Sequence, residues 1–312
     1  MSDINAISKT IRDMVDAEKA TMTQIASETG FSVAVISAFA NGNYKGNNGR
    51  VAEAVEVWLD NYQQKSTLAE PPRFVETQTV RQIWTVFQFA QLAECISVIA
   101  GNPGVGKTVA AREYSIKPNV WMMTASPSCA TVTECLTELA EVLGISDAPR
   151  RKGPLARAIR RRMNGTSGLV IVDEADHLNM EALEELRSLQ DATKIGMVLI
   201  GNLRVLSQMT GDGRRPIELA RLFSRIAKPS RIHKAKKADV NAIADAWDIK
   251  GEAERKLLHA IAEKPGALRV LSHTLRLAHI TASADGEKLT ETNIRAAFKD
   301  LNIDTDLIAL GG

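Results

Sequence analysis

The stretch Gly101-Asn102-Pro103-Gly104-Val105-Gly106-Lys107-Thr108 decides the fold. It fits the pattern G-x-x-x-x-G-K-[ST] and stands between an apolar run, ISVIA at 96–100, and a run of helical character, VAAREY at 109–114. Strand, glycine-rich turn and helix in that order make a phosphate-binding loop. Glycines let the backbone curl until successive N–H groups point at an anion, and the positive N-terminal end of the helix adds to the attraction. In this loop residues Gly101, Asn102, Pro103, Gly104, Val105 and Gly106 would surround the phosphates. Lys107 would reach the β- and γ-phosphates of a nucleotide, and the Thr108 hydroxyl would bind Mg²⁺. The cofactors expected are therefore ATP and Mg²⁺.

Downstream, Leu169-Val170-Ile171-Val172-Asp173-Glu174 is an apolar strand that ends in two carboxylates. Asp173 at the strand tip can hold the Mg²⁺ shell, and Glu174 can polarise the water that attacks the γ-phosphate. The letters DEAD at 173–176 suggest an RNA helicase, but such enzymes need a second core, and this chain turns helical after Arg231. Asp176 and His177 read as capping or surface residues. A third strand, Met197–Ile200, ends in Gly201-Asn202; Asn202 either orients the attacking water or is only a turn residue. Arg225 and Arg269 each have two readings, as nucleotide contacts or as solvated or DNA-facing cations.

Around this site the pattern alternates short apolar runs (Ile96–Ala100, Val120–Thr124, Leu169–Val172, Met197–Ile200 and a weaker Ile226–Ile232) with amphipathic segments such as Thr131–Leu143 and Met180–Gln190. That alternation predicts an α/β core with a parallel sheet and crossover helices over residues 74–232. Residues 1–62 read as a helix-turn-helix domain and 63–73 as a polar linker ending in Pro71-Pro72. Residues 233–312 read as an all-helical domain, with helices over Ala238–Trp247, Glu252–Glu263, Ala267–Ala282 and Glu291–Leu301 punctuated by Gly251 and Pro265-Gly266.

Net charge is only +2, so its distribution carries the argument. Ala148–Met163, APRRKGPLARAIRRRM, holds seven basic residues and no acidic one. Arg150, Arg151 and Lys152 lie on a loop, and Gly153-Pro154 can start a helix carrying Arg157, Arg160, Arg161 and Arg162. Cations so clustered suit a phosphate backbone without reading its sequence. Lys234, Lys236 and Lys237 form a smaller patch. In Thr21–Phe39, Ile25, Phe31, Ile36 and Phe39 are expected inward, with Gly30 at the turn and Ser32 as a cap. The groove-facing Val33, Ala34, Ser37 and Ala38 cannot make bidentate base contacts, so little sequence specificity is expected; Lys45 and Arg50 are either phosphate contacts or solvated surface.

Cys95, Cys129 and Cys135 are expected to be buried free thiols. No apolar run approaches the roughly 20 residues needed to span a bilayer, and the N-terminus is not a signal peptide. Both point to the cytoplasm and to no membrane partner.

With these motifs together, the chain resembles the AAA+ superfamily and, more closely, the B transposition proteins of Mu-type phages. The resemblance runs nearly end to end and rests on PPRFVETQTVRQIW, GNPGVGKT, APRRKGPL, LVIVDEADHL, ARLFSRIAK and KPGALRVL. It implies an ATP hydrolase that binds double-stranded DNA without sequence preference, self-assembles into a helical filament, captures target DNA and activates a transposase. It further implies that Asn202 is a first sensor, that Arg225 is an arginine finger reaching a neighbouring subunit (with Arg221 one turn away as the alternative), and that Arg269 is a second sensor on the γ-phosphate. It also places Arg150, Arg151 and Lys152 on DNA. Two rivals are a replication helicase loader, expected to prefer single strands, and an operator-binding regulator, expected to footprint one defined site.

Overall fold

A computed structural model describes residues 4–17, 19–67, 72–202, 226–284 and 288–301. The chain divides into two compact units, one within Met1–Pro71 and the other over Pro72–Ala282, resuming at Lys288. The first contains α1 (Ile4–Asp16), α2 (Met22–Thr29), α3 (Val33–Ala40) and α4 (Asn48–Thr67). The side chains of Thr21 and Ser32 accept from Gln24 and Val35 N–H groups and so start α2 and α3, while Gly30 at φ 75° ends α2. Such caps satisfy backbone donors that have no partner within the helix. Ile11, Ile25, Ile36, Phe39 and Val55 fill the centre. Phe31, expected inside, is only half-buried: it packs at the edge of this core with the Arg50 guanidinium 5.9 Å from its ring centroid. α4 continues through residues 63–67, which the sequence assigned to a linker. Glutamine and lysine are good helix formers, so a polar composition alone did not mark a break.

In the second unit, β1 (Ile96–Gly101), β2 (Val120–Thr124), β3 (Leu169–Asp173), β4 (Gly196–Gly201) and β5 (Ile226–Ile232) form a wholly parallel sheet in the order β2-β3-β4-β1-β5. The alternation along each strand sorts its side chains into two cores. Ile99, Ile171, Val198 and Ile200 meet α5 (Gln78–Leu92) and α6 (Lys107–Tyr114). Val98, Val170, Val172 and Leu199 meet α7 (Val132–Val142), α8 (Lys152–Met163) and α9 (Met180–Thr193). In an open parallel sheet, ligands bind beyond the carboxyl ends of the strands. Here those ends carry the glycine loop, Asp173 and Asn202.

The chain then forms α10 (Lys237–Ala246), α11 (Glu252–Ala262), α12 (Ala267–Ala284) and α13 (Glu291–Leu301) around Val240, Leu258, Leu271, Leu275 and Ile294. Asp239, fully buried, joins this helical part to the sheet part. Its carboxylate accepts from the Thr79 N–H (2.9 Å) and hydroxyl (2.6 Å) at the start of α5, and from the Lys236 N–H (2.9 Å) at the start of α10. One anion thus serves the N-terminal donors of two helices, where the helix dipoles also favour it.

All three thiols are free, but only Cys129 and Cys135 are buried; Cys95, in the turn before β1, is half-buried. Burial pushes the Cys135 thiol up to about 12. Among the described residues no helix is long and apolar enough to cross a membrane.

Candidate active site

The loop after β1 is shaped from both sides. Asn102 donates from its N–H to Ile232 O (3.2 Å) and from its side-chain amide to His233 O (2.6 Å), which fixes the loop to the end of β5. Gly104, at φ 81°, lies so close to the start of α12 that a Cβ would stand 1.8 Å from Gly266 O. No other residue fits there. Gly104 O in turn accepts from the Leu268 N–H at 3.0 Å.

Lys107 opens α6, with its ammonium donating to Gly101 O (2.8 Å) and Asn102 O (3.0 Å) across the loop. Burial lowers its pKa, and the nearby Arg269 acts in the same direction; the carboxylates of Glu174, Asp173 and Asp176 oppose the shift. This is the balance of forces expected of a cation enclosed in a polar cleft.

Thr108 donates its hydroxyl to Asp173 Oδ2 at 2.6 Å. Asp173 is buried at the tip of β3, and its Oδ1 accepts from the Glu174 N–H at 3.0 Å. A hydroxyl and a carboxylate side by side are the hard oxygen donors that Mg²⁺ takes, usually together with water and phosphate. Glu174 is held at φ 52°, a left-handed conformation that costs a non-glycine residue about 1–2 kcal/mol. Strain of that kind gathers at functional sites.

Gly104, Lys107, Thr108, Glu174, Asn202 and Arg269 line one cavity of about 640 Å³, within the range of about 300–1,000 Å³ usual for small-molecule sites. Trp247, Ile243 and His273 add walls from the C-terminal helices, a contribution the sequence did not signal. Nor did it signal the partner of Asp176. That carboxylate accepts from the Asn202 N–H (3.2 Å) and its side-chain amide (2.6 Å). Arg225 and its alternative Arg221 lie outside the described residues.

Away from the cavity, Arg150 and Arg151 just before α8 and Lys152, Arg157 and Arg161 within it are exposed. Lys152 begins the helix itself and lies 3.9 Å from Glu185. Arg162 is exposed too, although its Nε–H donates to Leu143 O at 3.1 Å and its guanidinium sits 5.4 Å from the Trp121 ring centroid, while Arg160 is half-buried. Lys234 and Lys237 are exposed, whereas Lys236 is half-buried with its ammonium donating to Gln82 Oε1 at 2.8 Å.

The sheet order, the loop on β1 and the polar residues at the tips of β3 and β4 define a P-loop ATPase of the AAA class, and residues 92–209 match the model of the AAA domain. A Walker-type ATPase of Pyrococcus abyssi shares the fold, with TM-score 0.51, 14% identity and coverage of 76% of this chain and 75% of that one. Residues 224–301 match the model "Mu B transposition protein, C terminal". Over 311 residues the chain is 59% identical to ATP-dependent target DNA activator B of Escherichia phage Mu and equally to that of Escherichia phage D108, covering 99% of this chain and 98% of each relative. It is 45% identical to the Mu-like prophage FluMu DNA transposition protein B of Haemophilus influenzae, over 88% of this chain and 95% of the relative. The chain belongs to the family of Mu B transposition proteins.

Proposed function

We propose that this protein is an ATP-dependent target DNA activator: in its ATP-bound state it assembles on double-stranded DNA of any sequence and presents that DNA to a transposase. The observation that carries the reading is the cavity lined by Lys107, Thr108, Glu174, Asn202 and Arg269, with Asp173 buried behind Thr108 and accepting from its hydroxyl. The names of the two phage relatives support it from outside.

Lys107 binds the β- and γ-phosphates, and Arg269 approaches the γ-phosphate from the C-terminal helices. Thr108 and Asp173 would hold Mg²⁺, which would supply neutralisation of the phosphate charge. Glu174 takes a proton from the attacking water, and Asn202 orients that water. Arg225, with Arg221 as the alternative, reaches from a neighbouring subunit, so hydrolysis depends on assembly into a helical filament. Arg150, Arg151, Lys152 and Arg157 contact the phosphate backbone, joined by Lys234 and Lys237; Lys236 has its own partner in Gln82. The α2–α3 pair acts as a helix-turn-helix that docks DNA or protein without base readout. The setting is the cytoplasm of the bacterial host.

Glu174→Gln tests the chemistry. A general base contributes about 10²–10⁴-fold, so ATP turnover is expected to fall by at least about 100-fold while ATP is still bound. Turnover at the normal rate would remove Glu174 from its role; loss of ATP binding as well would mean that the carboxylate holds the cavity together instead.

A further inference from the structure

Asp176 lies outside the pair of acids that the nucleotide reading uses, yet it is placed with as much care. It sits in the short turn Ala175–His177 after β3, half-buried, and both of its oxygens accept from one residue across the sheet end, Asn202. The bond to the side-chain amide is 2.6 Å, the length of a strong charge-assisted contact. The bond to the Asn202 N–H, 3.2 Å, fixes the main chain where β4 ends. Two attachments from one carboxylate leave the side chain of Asn202 little freedom to rotate. A carboxylate accepting from an amide N–H₂ also polarises that amide and makes its carbonyl oxygen a better acceptor.

Asp176 is tied to Glu174 as well. The two residues are separated only by Ala175, and one oxygen of each carboxylate and a ring nitrogen of His177 lie within 4.8 Å of one another. The field of Asp176 reaches the Lys107 ammonium, together with those of Asp173 and Glu174. A single turn therefore carries Glu174 on the side of the cavity and holds Asn202 by its amide.

We propose that Asp176 is the positioning residue of the hydrolytic site, holding Asn202 at a fixed distance from Glu174 so that both meet the same attacking water. The proposal rests on the reading of Asn202 given above and deepens it. It assigns Asp176 no proton transfer and no contact with nucleotide. Its effect falls on the rate of hydrolysis and passes through Asn202.

The test uses the full chain with Mg-ATP and duplex DNA. Hydrolysis and binding of a fluorescent ATP analogue are measured for Asp176→Ala and Asp176→Asn, each alone and combined with Asn202→Ala. Misplacing a group that orients a reactant costs on the order of 10- to 100-fold in rate, so Asp176→Ala is expected to lower kcat by about that factor. Affinity for the analogue should stay within about threefold, because no binding contact is removed. Asp176→Asn should fall between, since an amide offers one acceptor oxygen for two donors. In the Asn202→Ala background, Asp176→Ala should add no more than about twofold, the signature of two residues acting as a unit.

Equal losses in both backgrounds would overturn the proposal, as would a normal rate in Asp176→Ala beside a slow Asn202→Ala. A normal rate in Asn202→Ala itself would remove the reading of Asn202 and the proposal with it. Where Asp176→Ala fails to fold, Asp176→Asn decides by the same criteria.

Discussion

Gly104 and Gly266 join the phosphate loop to the C-terminal helices by close backbone contact. Each is glycine for a different reason. Gly104 has no room for a Cβ beside Gly266 O, whereas Gly266, at φ 90°, would place a Cβ 2.7 Å from Val270 Cγ2. Replacing Gly266 by alanine leaves Gly104 untouched but forces a conformation that costs a non-glycine residue about 1–3 kcal/mol. Gly266→Ala should therefore lower the urea midpoint at an unchanged slope and weaken ATP binding, since Leu268 and Arg269 follow directly. A midpoint equal to that of the wild type would show that the α12 start can shift without cost. At this scale the sequence displayed the residues whose spacing is fixed within one segment. Lys107 and Thr108 are set by the loop pattern, and Asp173 by the strand it ends. Asp176 was legible only as a capping or surface residue, because its partner Asn202 depends on β3 and β4 being neighbours. No local pattern encodes that adjacency.

Among the elements, α8 and the loop before it carry the charge. Of its cations, Arg150, Arg151, Lys152, Arg157, Arg161 and Arg162 are exposed and Arg160 is half-buried; Arg162 also bonds to Leu143 O and lies over the Trp121 ring. The contact of Lys152 with the half-buried Glu185 is long, at 3.9 Å, and the lysine itself is exposed, so it competes little with a phosphate. Each phosphate neutralised contributes about 0.9 to the logarithmic salt slope of duplex binding, so the double change Arg151→Ala and Lys152→Ala should make it shallower by about 1.8. Affinity should drop alike for every sequence. An unchanged slope would take both residues off the DNA.

The junction of α5 and α10 makes a second element-scale case. Asp239→Ala leaves the Thr79 and Lys236 donors without their anion, and hydrogen bonds to a charged group contribute about 1.5–3 kcal/mol each. A stability loss on the order of 3 kcal/mol is expected from chemical unfolding; a change under about 0.5 kcal/mol would mean that water satisfies these donors instead. The five strands and most helices were legible from apolar runs and breakers, and the ends of α10, α11 and α12 fall within two residues of expectation. α5 was not drawn at all. Its sequence, QTVRQIWTVFQFAQL, is rich in β-branched and aromatic residues, which weakens the helical signal. Packing of Val80, Ile83, Val86, Phe87 and Ala90 against the sheet overrides that propensity. The basic helix showed its charge but not which cations find partners within the protein, since that depends on where Trp121 and Leu143 lie.

For the whole molecule, the nucleotide cavity takes walls from both the sheet and the C-terminal helices, which belong to one compact unit. A ligand bound between them stabilises that arrangement by its binding free energy. If neighbouring subunits complete each other's sites through Arg225, ATP binds better to the assembly and the assembly forms better with ATP, by linkage. Many copies of the α8 cations then line one duplex, and multivalency raises affinity with no base contact. On the proposed reading, hydrolysis would then remove the γ-phosphate contacts and release the DNA. The decisive measurement is binding of random-sequence duplex DNA without nucleotide, with ADP and with ATP, for the wild type and for Lys107→Ala. Tight, cooperative binding with ATP only, abolished in Lys107→Ala, is the expected result. Binding that ignores the nucleotide, or that is confined to single strands, would contradict an ATP-gated activator of target DNA.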